Sequence, residues 1–476
     1  MALTSDHVNF LVYRYLLEAG FAHTAFTFGA ESSILNSGLP GADVPVGTLV
    51  SILQKGFQFA ELEANLTEES TDVFGEFTPL SAEAIMTGDV EELRATVREW
   101  HEKRDAAALD VLASGPEELD PGACLGLGGA EGPVYACPWA PAGPPRLAAG
   151  SADGSLRLWD FPEGTREPPP APCVCATGGE ITAIEWSPGS SLLAVALMDG
   201  SIQIWEADGT RKFTLEGHTR SIFALRWNRR GDLLLSCSVD CAAIVWDART
   251  GALRSRCVHH AAPLLDGDWR TNAIYATASA DRTIAVFRVG EDRPLKVWKG
   301  HSGDINGVRW DGSGKLLASA SDDGTVRIWS LTSDAPLHTL TGHSAEVNSL
   351  RWGPWDSRHL LASAGADGLV QIFDPDTGTV VHRLDRHGAN VPHLRWSPAG
   401  EYLATGDELG QVLVWSTKSG AVVRSLQCPA LIHDLSWAPD GETLSMCMAE
   451  GAPQVLVVPL GQVPPLPPAD PKPMSP

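Results

Sequence analysis

The chain has 476 residues, with 35 Lys and Arg against 59 Asp and Glu and a formal net charge of -24. A chain that acidic is repelled by nucleic acid and by anionic membranes, so a basic peptide is the more natural direct partner. The longest apolar runs, such as residues 192–198, are far too short to span a bilayer. Nine cysteines without a paired framework, and a first segment without secretory character, point to a reducing intracellular compartment.

From the N-terminus, Thr4 or Ser5 caps a helix that carries Val8, Leu11, Val12, Tyr15 and Leu16 as one wide apolar stripe. Gly20 ends it, and a second short helix carries Ala25, Phe26 and Phe28. Helices this short cannot bury the stripe between themselves, so it packs on the rest of the N-terminal region or meets a partner. Val8-Asn9, Val12, Tyr15-Leu16, Gly20-Phe21, Ala25 and Phe28 resemble the LisH motif, whose helices dimerise. The resemblance implies self-association through Val8, Leu11, Val12, Tyr15, Leu16, Gly20, Phe21 and Phe28.

Pro45 opens a second helical stretch with Leu49, Val50, Leu53 and Phe57 on one face. Residues 81–86 and 90–103 read as further helices, the latter with Val90, Leu93, Val97 and Trp100 inward. The wording from Asn9 to Leu16, from Ala25 to Gly29 and from Ser51 to Gly56 resembles the transducin β-like family, where the second segment is called F-box-like. By that resemblance Leu49, Val50, Leu53 and Phe57 form a groove for corepressor segments. Residues 105–122, rich in Ala, Gly, Pro and acid, read as a linker. It is shorter than the family's and has no basic cluster, so a nuclear location follows from the resemblance and not from an import signal.

The rest of the chain repeats one device. Residues 316–329 read as strand, tight turn and strand, with Asp322-Asp323-Gly324-Thr325 as the turn. The closing residues Trp159, Trp205, Trp246, Phe287, Trp329, Phe373, Trp415 and Leu456 recur at about 40–45 residues, a period that resembles WD40. Eight units imply an eight-bladed β-propeller, with residues 123–127 as the outer strand of the last blade. The fold class is mainly β, preceded by a small all-α LisH/F-box-like domain. The expected boundaries are 1–40, 41–104, a linker at 105–122, the propeller at 123–460 and a Pro-rich disordered tail at 461–476.

Within the good repeats, His218, Ser238, Asp240 and Trp246, and likewise His301, Ser321, Asp323 and Trp329, take the positions of the family's buried hydrogen-bonded tetrad. A His–Ser–Asp set that recurs blade after blade satisfies buried polar groups and is no hydrolase triad. Gly365, Leu409 and Leu197 break the pattern, so their blades are expected to be less rigidly tied. Cys257, His259 and His260 lack a second pair at metal-binding spacing, Cys173 and Cys175 read as plain thiols, and Gly126 and Gly128 begin no phosphate loop. No metal or cofactor is expected.

Trp246-Asp247-Ala248-Arg249 is similar to the box of cullin-4 substrate receptors, or is simply a blade end with a surface arginine. The Pro-rich residues 463–468 can form a polyproline helix or remain disordered. On the top face of such a propeller, Arg220, Asp304, Asp322 and Glu346 are the candidate binding residues, their acids suited to a Lys/Arg-rich peptide. The reading is a non-catalytic scaffold. By resemblance it serves a nuclear receptor corepressor–histone deacetylase complex, binds histone tails or transcription factors, and recruits ubiquitin–proteasome machinery. The alternative is the substrate receptor of a cullin-type ubiquitin ligase.

Overall fold

The computed structural model describes residues 11–13, 15–16, 28, 49, 91–95, 117–118, 124–161, 169–354, 359–449 and 453–460. The chain divides into two compact units, Met1–Asp110 with Pro465–Pro476, and Val111–Pro464. In the first unit every described residue is helical, including Leu11, Val12, Tyr15, Leu16, Phe28 and Leu49. Leu93 is buried there and Tyr15 is exposed. Val8, Gly20, Phe21, Val50, Leu53 and Phe57 lie outside the described residues, as does the tail at 461–476. Among the described residues no helix is long and apolar enough to cross a membrane.

The second unit is a ring of eight antiparallel four-stranded blades. The fifth blade shows why the sequence folds this way. Ile305–Trp310, Leu316–Ser321, Val326–Ser330 and His338–Leu340 pair in order, with Ala318 opposite Ile328. The second strand, Leu-Leu-Ala-Ser-Ala-Ser, is buried on both faces because a neighbouring blade covers each side. Small Ala and Ser residues there let the large residues of adjacent blades approach. Gly324 closes the turn at φ +73°, a region that costs most residues about 1–2 kcal/mol. Cys241 and Arg282 hold the same turn position in the third and fourth blades, at φ 64° and 69°.

The apolar clusters lie between blades, not within them. Ile284, Val286 and Trp298 of the fourth blade pack on Ile305, Val308, Leu317 and Trp329 of the fifth. The innermost strands carry a second inter-blade tie, a tryptophan at the strand end. The indole N–H of Trp186 donates to the Pro138 carbonyl, Trp227 to Glu185, Trp269 to Arg226, Trp352 to Arg309, Trp396 to Arg351 and Trp437 to Arg395, at 2.8–3.1 Å. Each bond joins one blade to the blade before it.

The ring closes where the sequence places it. Leu125–Leu127 is the outer strand of the eighth blade and pairs antiparallel with Val455–Pro459, Leu125 opposite Val457 and Leu127 opposite Val455. Leu127, Val134, Trp139 and Trp159 then share one cluster with Cys447, Val455 and Val457, so the first and last blades bury each other. The stretch expected to be only a linker does more. Its Glu117–Glu118 pairs in parallel with Arg424 and Ser425, adding a fifth strand to the seventh blade. All nine cysteines are free thiols.

The closing strand gives a direct test of packing. A Cβ on Gly126 would fall 2.4 Å from Pro453 Cγ, whereas on Gly128 the nearest atom is 3.8 Å away. Gly126→Val should cost about 1–3 kcal/mol by overpacking, and Gly128→Val close to nothing by comparison. Urea midpoints of the two variants decide this; equal midpoints would show that the closing strand is not packed as described.

Candidate functional site

Two features converge at the end of the ring that carries the turn aspartates: the buried tetrads and the first residues of the inner strands. The tetrads fix the loops. In the fifth blade His301 Nδ1 lies 2.8 Å from Asp323 Oδ2 and Nε2 lies 2.7 Å from Ser319 Oγ, to which the Trp329 indole donates at 2.8 Å. Asp323 also accepts the amide of Ser302 at 2.9 Å, so one carboxylate ties the incoming loop to the turn. The third blade repeats this with His218, Ser236, Asp240 and Trp246.

The tetrad serines are therefore Ser236 and Ser319, not Ser238 and Ser321. Residues two apart on a strand face the same way, so spacing alone did not separate them. The histidine and tryptophan reach the serine deeper in the strand. Ser238, at the strand end, instead donates to the carbonyls of Arg220 and Ser221 and accepts the Asp240 amide. Ser321 likewise accepts the Asp323 amide at 3.2 Å.

The same finding corrects the expectation of looser blades. Gly365 costs the sixth blade nothing here, because Ser363 meets His343 at 2.8 Å and Asp367 meets it at 3.1 Å. In the seventh, Leu409 stands where an aspartate was expected, but Asp407 reaches His387 at 3.0 Å, and Thr405 joins that histidine to Trp415. His260, a metal candidate by spacing, is held the same way by Asp281 and Thr277, while Cys257 lies against the Tyr275 hydroxyl. Among the described residues no group of three or more His, Cys, Asp or Glu is placed to hold a metal ion. The second blade is the weak one: Val195 faces Gln203 where Ser236 faces Ile244, and the Trp205 indole N–H has no partner among the described residues.

Burial lowers the pKa of the His218, His260, His301 and His343 imidazoles, so they are neutral rings that donate from Nδ1. For Asp323 burial alone would push the carboxyl up, but Thr325, the Ser302 amide and His301 outweigh it and hold it at about 2. The arrangement is a set of locked neutral-His–carboxylate pairs. Its chemistry is structural.

On this frame the inner strands begin with a recurring bulge. Pairing skips one residue between Ile181 and Ala183, Ile222 and Ala224, Ile305 and Gly307, Val347 and Ser349, and Ile432 and Asp434. The skipped residues Thr182, Phe223, Asn306, Asn348 and His433 sit beside the turns, where a bulge re-aims a side chain. Asn306 bonds Asp322 at 2.6 Å and the Val347 carbonyl of the next blade. Asn348 bonds Asn390 at 2.7 Å, and Asn390 bonds Glu408 at 2.7 Å.

A polar belt therefore runs across blades five to seven. Asp322 and Asp304 are joined through their backbones, and Glu346 precedes Val347, whose carbonyl accepts from Asn306 of the fifth blade. Arg220 is exposed two blades away and takes no part in the belt. Asn306, Asn348, Asn390 and Glu408 were not singled out from sequence; the Asn after Ile305 and Val347 was the available signal. Phe223 is 55% exposed and Met198 54%, so blades two and three offer apolar surface instead.

The central channel encloses about 350 Å³. Its wall is built by the residue before each inner-strand tryptophan, among them Glu185, Arg226, Asp268, Arg309, Arg351 and Arg395. Burial pushes the Glu185 carboxyl up to about 7. These wall residues were also missed, although the dipeptide Arg-Trp recurs four times in the sequence. At the opposite end of the blades, the Trp246-to-Arg249 box is largely spoken for. Asp247 is buried, paired with Arg254 and bonded to the Arg249 and Thr250 amides, which leaves only Arg249 exposed.

Comparison with known proteins agrees with this geometry. The WD domain, G-beta repeat model matches residues 123–160, 172–206, 209–247, 292–330 and 334–374, the LisH model matches 6–32, and the anaphase-promoting complex subunit 4 WD40 domain model matches 384–440. The F-box-like/WD repeat-containing protein TBL1X of Mus musculus is 35% identical, aligned over 67% of this chain and 72% of its own length. TBL1Y of Homo sapiens is also 35% identical, over 66% and 72%. The crystal structure of the C-terminal WD40 domain of Sif2 superposes with a TM-score of 0.64 at 23% identity, covering 69% of this chain and 96% of that one.

Ser319→Ala should leave His301 and Trp329 without their shared partner and cost about 1–3 kcal/mol. Ser319→Thr, the residue used at Thr405 and Thr277, should cost much less. Equal losses in denaturant unfolding would contradict the tetrad assignment. A pH profile gives a second check. His218, His260, His301, His343 and His433 have folded pKa values below the ordinary 6.5, and His393 is down at about 4. The folded chain thus binds fewer protons than the unfolded one below pH 6.5, and the stability these groups contribute is lost as pH falls. Glu185, raised to about 7 from 4.5, and Asp268, also raised, act in the opposite sense; the Glu185 shift matches that of His393 alone. The melting temperature should fall between pH 6.5 and 5, and a flat or rising calorimetric profile on acidification would refute this balance.

Proposed function

The chain belongs to the transducin β-like family of LisH- and WD40-repeat proteins, and on that premise we propose that it is a scaffold of a nuclear receptor corepressor–histone deacetylase complex. The family relationship supports a scaffold or adaptor in transcription regulation. What supports the corepressor reading is the pairing, in one chain, of a LisH segment with a propeller whose turn loops carry Asp304, Asp322, Glu346 and Glu408 as an acidic arc. In this reading Val8, Leu11, Val12, Tyr15, Leu16, Gly20, Phe21 and Phe28 mediate self-association. Leu49, Val50, Leu53 and Phe57 hold corepressor segments as helices, and the protein acts in the nucleus.

The propeller then binds a basic peptide such as a histone tail. Asp304, Asp322, Glu346 and Glu408 face its Lys and Arg side chains, while Phe223 and Met198 accept an apolar residue further along. Arg386, exposed in the loop before His387, is a counter-charge on the same arc and helps set the register of the peptide. Each propeller binds weakly, and self-association multiplies the sites, so that avidity strengthens binding without new contacts. The family's link to ubiquitin–proteasome recruitment for corepressor exchange belongs to the same proposal.

Affinity purification from nuclear extract, comparing the full chain with residues 105–476, tests the scaffold reading. Corepressor and deacetylase should come down only with the full chain. Recovery of cullin-ligase adaptors that survives the deletion and is lost in Arg249→Ala would favour the substrate-receptor alternative and refute it. For the propeller, Asp322→Lys with Glu346→Lys should weaken a Lys-rich histone-tail peptide by about tenfold or more, with a reduced salt dependence. Unchanged affinity in calorimetry would remove the acidic arc from the binding site.

A further inference from the structure

The central channel plays no part in the reading above, yet its charges are unevenly satisfied. Three successive blades, five to seven, each place an arginine in the wall: Arg309, Arg351 and Arg395. The outer two have carboxylates on their far sides. Arg309 pairs with Asp266 of the fourth blade, which it shares with Arg226, and Arg395 pairs with Asp434 of the eighth at 2.7 Å. Arg351 stands between them. Its guanidinium donates to the Leu350 carbonyl at 2.9 Å and pairs with no carboxylate among the described residues.

The remaining acids of the wall do not compensate it. Glu185 and Asp268 belong to blades two and four, and their carboxylates accept the Trp227 and Trp310 amides at 3.0 and 2.7 Å. Burial also raises both carboxyls above their ordinary range, which weakens them as counter-charges. On Arg351 the effect is opposite in kind: burial first, then the positive charges of Arg309 and Arg395, drive its pKa well below the usual value. A half-buried cation held beside two others is costly unless an anion joins them.

We propose that the channel is a binding site for a phosphate-class oxyanion, seated on Arg351 between Arg309 and Arg395. The planar fork of a guanidinium matches two oxygens of a tetrahedral anion, and three forks from adjacent blades converge on one small volume. About 350 Å³ holds such an ion with ordered water and is far too small for a folded partner or a helix. The source of the anion is either the free ion or a phosphate monoester small enough to enter. The site is independent of the corepressor reading.

The test uses the full chain and titration calorimetry with inorganic phosphate, at ionic strength held constant with chloride. The expected result is one saturable site per chain that sulfate competes for, weakened by about tenfold or more in Arg351→Gln. Arg351→Lys keeps the charge but loses the fork, and should give an intermediate affinity; it also serves if the glutamine variant does not fold. A parallel titration with O-phosphoserine separates the sources. Binding of both ligands supports the site and admits an ester, and binding of phosphate alone supports it and assigns the free ion. No saturable binding, or equal binding in wild type and the folded Arg351 variants, overturns the proposal.

Discussion

The structure depends on three residues pairing with a strand about 330 positions later in the chain. Leu125–Leu127 completes the eighth blade, and with it the cluster that buries Val134, Trp139 and Trp159 of the first. A sheet closed this way leaves no inner edge exposed, so blades otherwise held only by their neighbours become a continuous circuit. The indole-to-carbonyl bonds between inner strands and the apolar clusters between blades act within that circuit. Opened, it would have two free faces.

Closure also explains where chemistry is located. Eight inner strands meet around one axis, so the residue before each tryptophan faces the channel whatever its type. That is how four arginines come to share a wall in a chain of net charge -24. At the turn end, His–Asp pairs lock the loops of blades three to seven, and the bulged residues are left to vary. Variation there is what distinguishes one face of the ring from another: Asn306 and Asn348 build a polar belt, whereas Phe223 presents an aromatic ring.

Much of the architecture was legible in the sequence. The recurrence from Trp159 to Leu456 set the blade count, and the short apolar run at residues 123–127 had nowhere to pair except the last blade. The candidate site was legible in part. Asp304 and Asp322 are joined through their backbones and Glu346 stands in the neighbouring loop of the sixth blade, whereas Arg220 belongs to the third. Ser238 and Ser321 were mistaken for tetrad members because Ser236 and Ser319 share their face of the strand, and only the depth of the histidine ring separates the two. Asp407 could replace the aspartate expected at 409 because two residues along a strand return to the same side. The arginine wall was invisible for a different reason. Arg309, Arg351 and Arg395 are about forty residues apart in sequence, and only the stacking of consecutive blades makes them neighbours.

The claim that closure by Leu125–Leu127 holds the whole ring is tested most directly by native-state hydrogen exchange on the segment containing these residues. If it is right, their paired amides exchange as slowly as those of Val455–Pro459 and share one opening free energy with the tetrad strands. If residues 125–127 exchange rapidly while the rest of the ring stays protected, closure is a local ornament and the account is wrong.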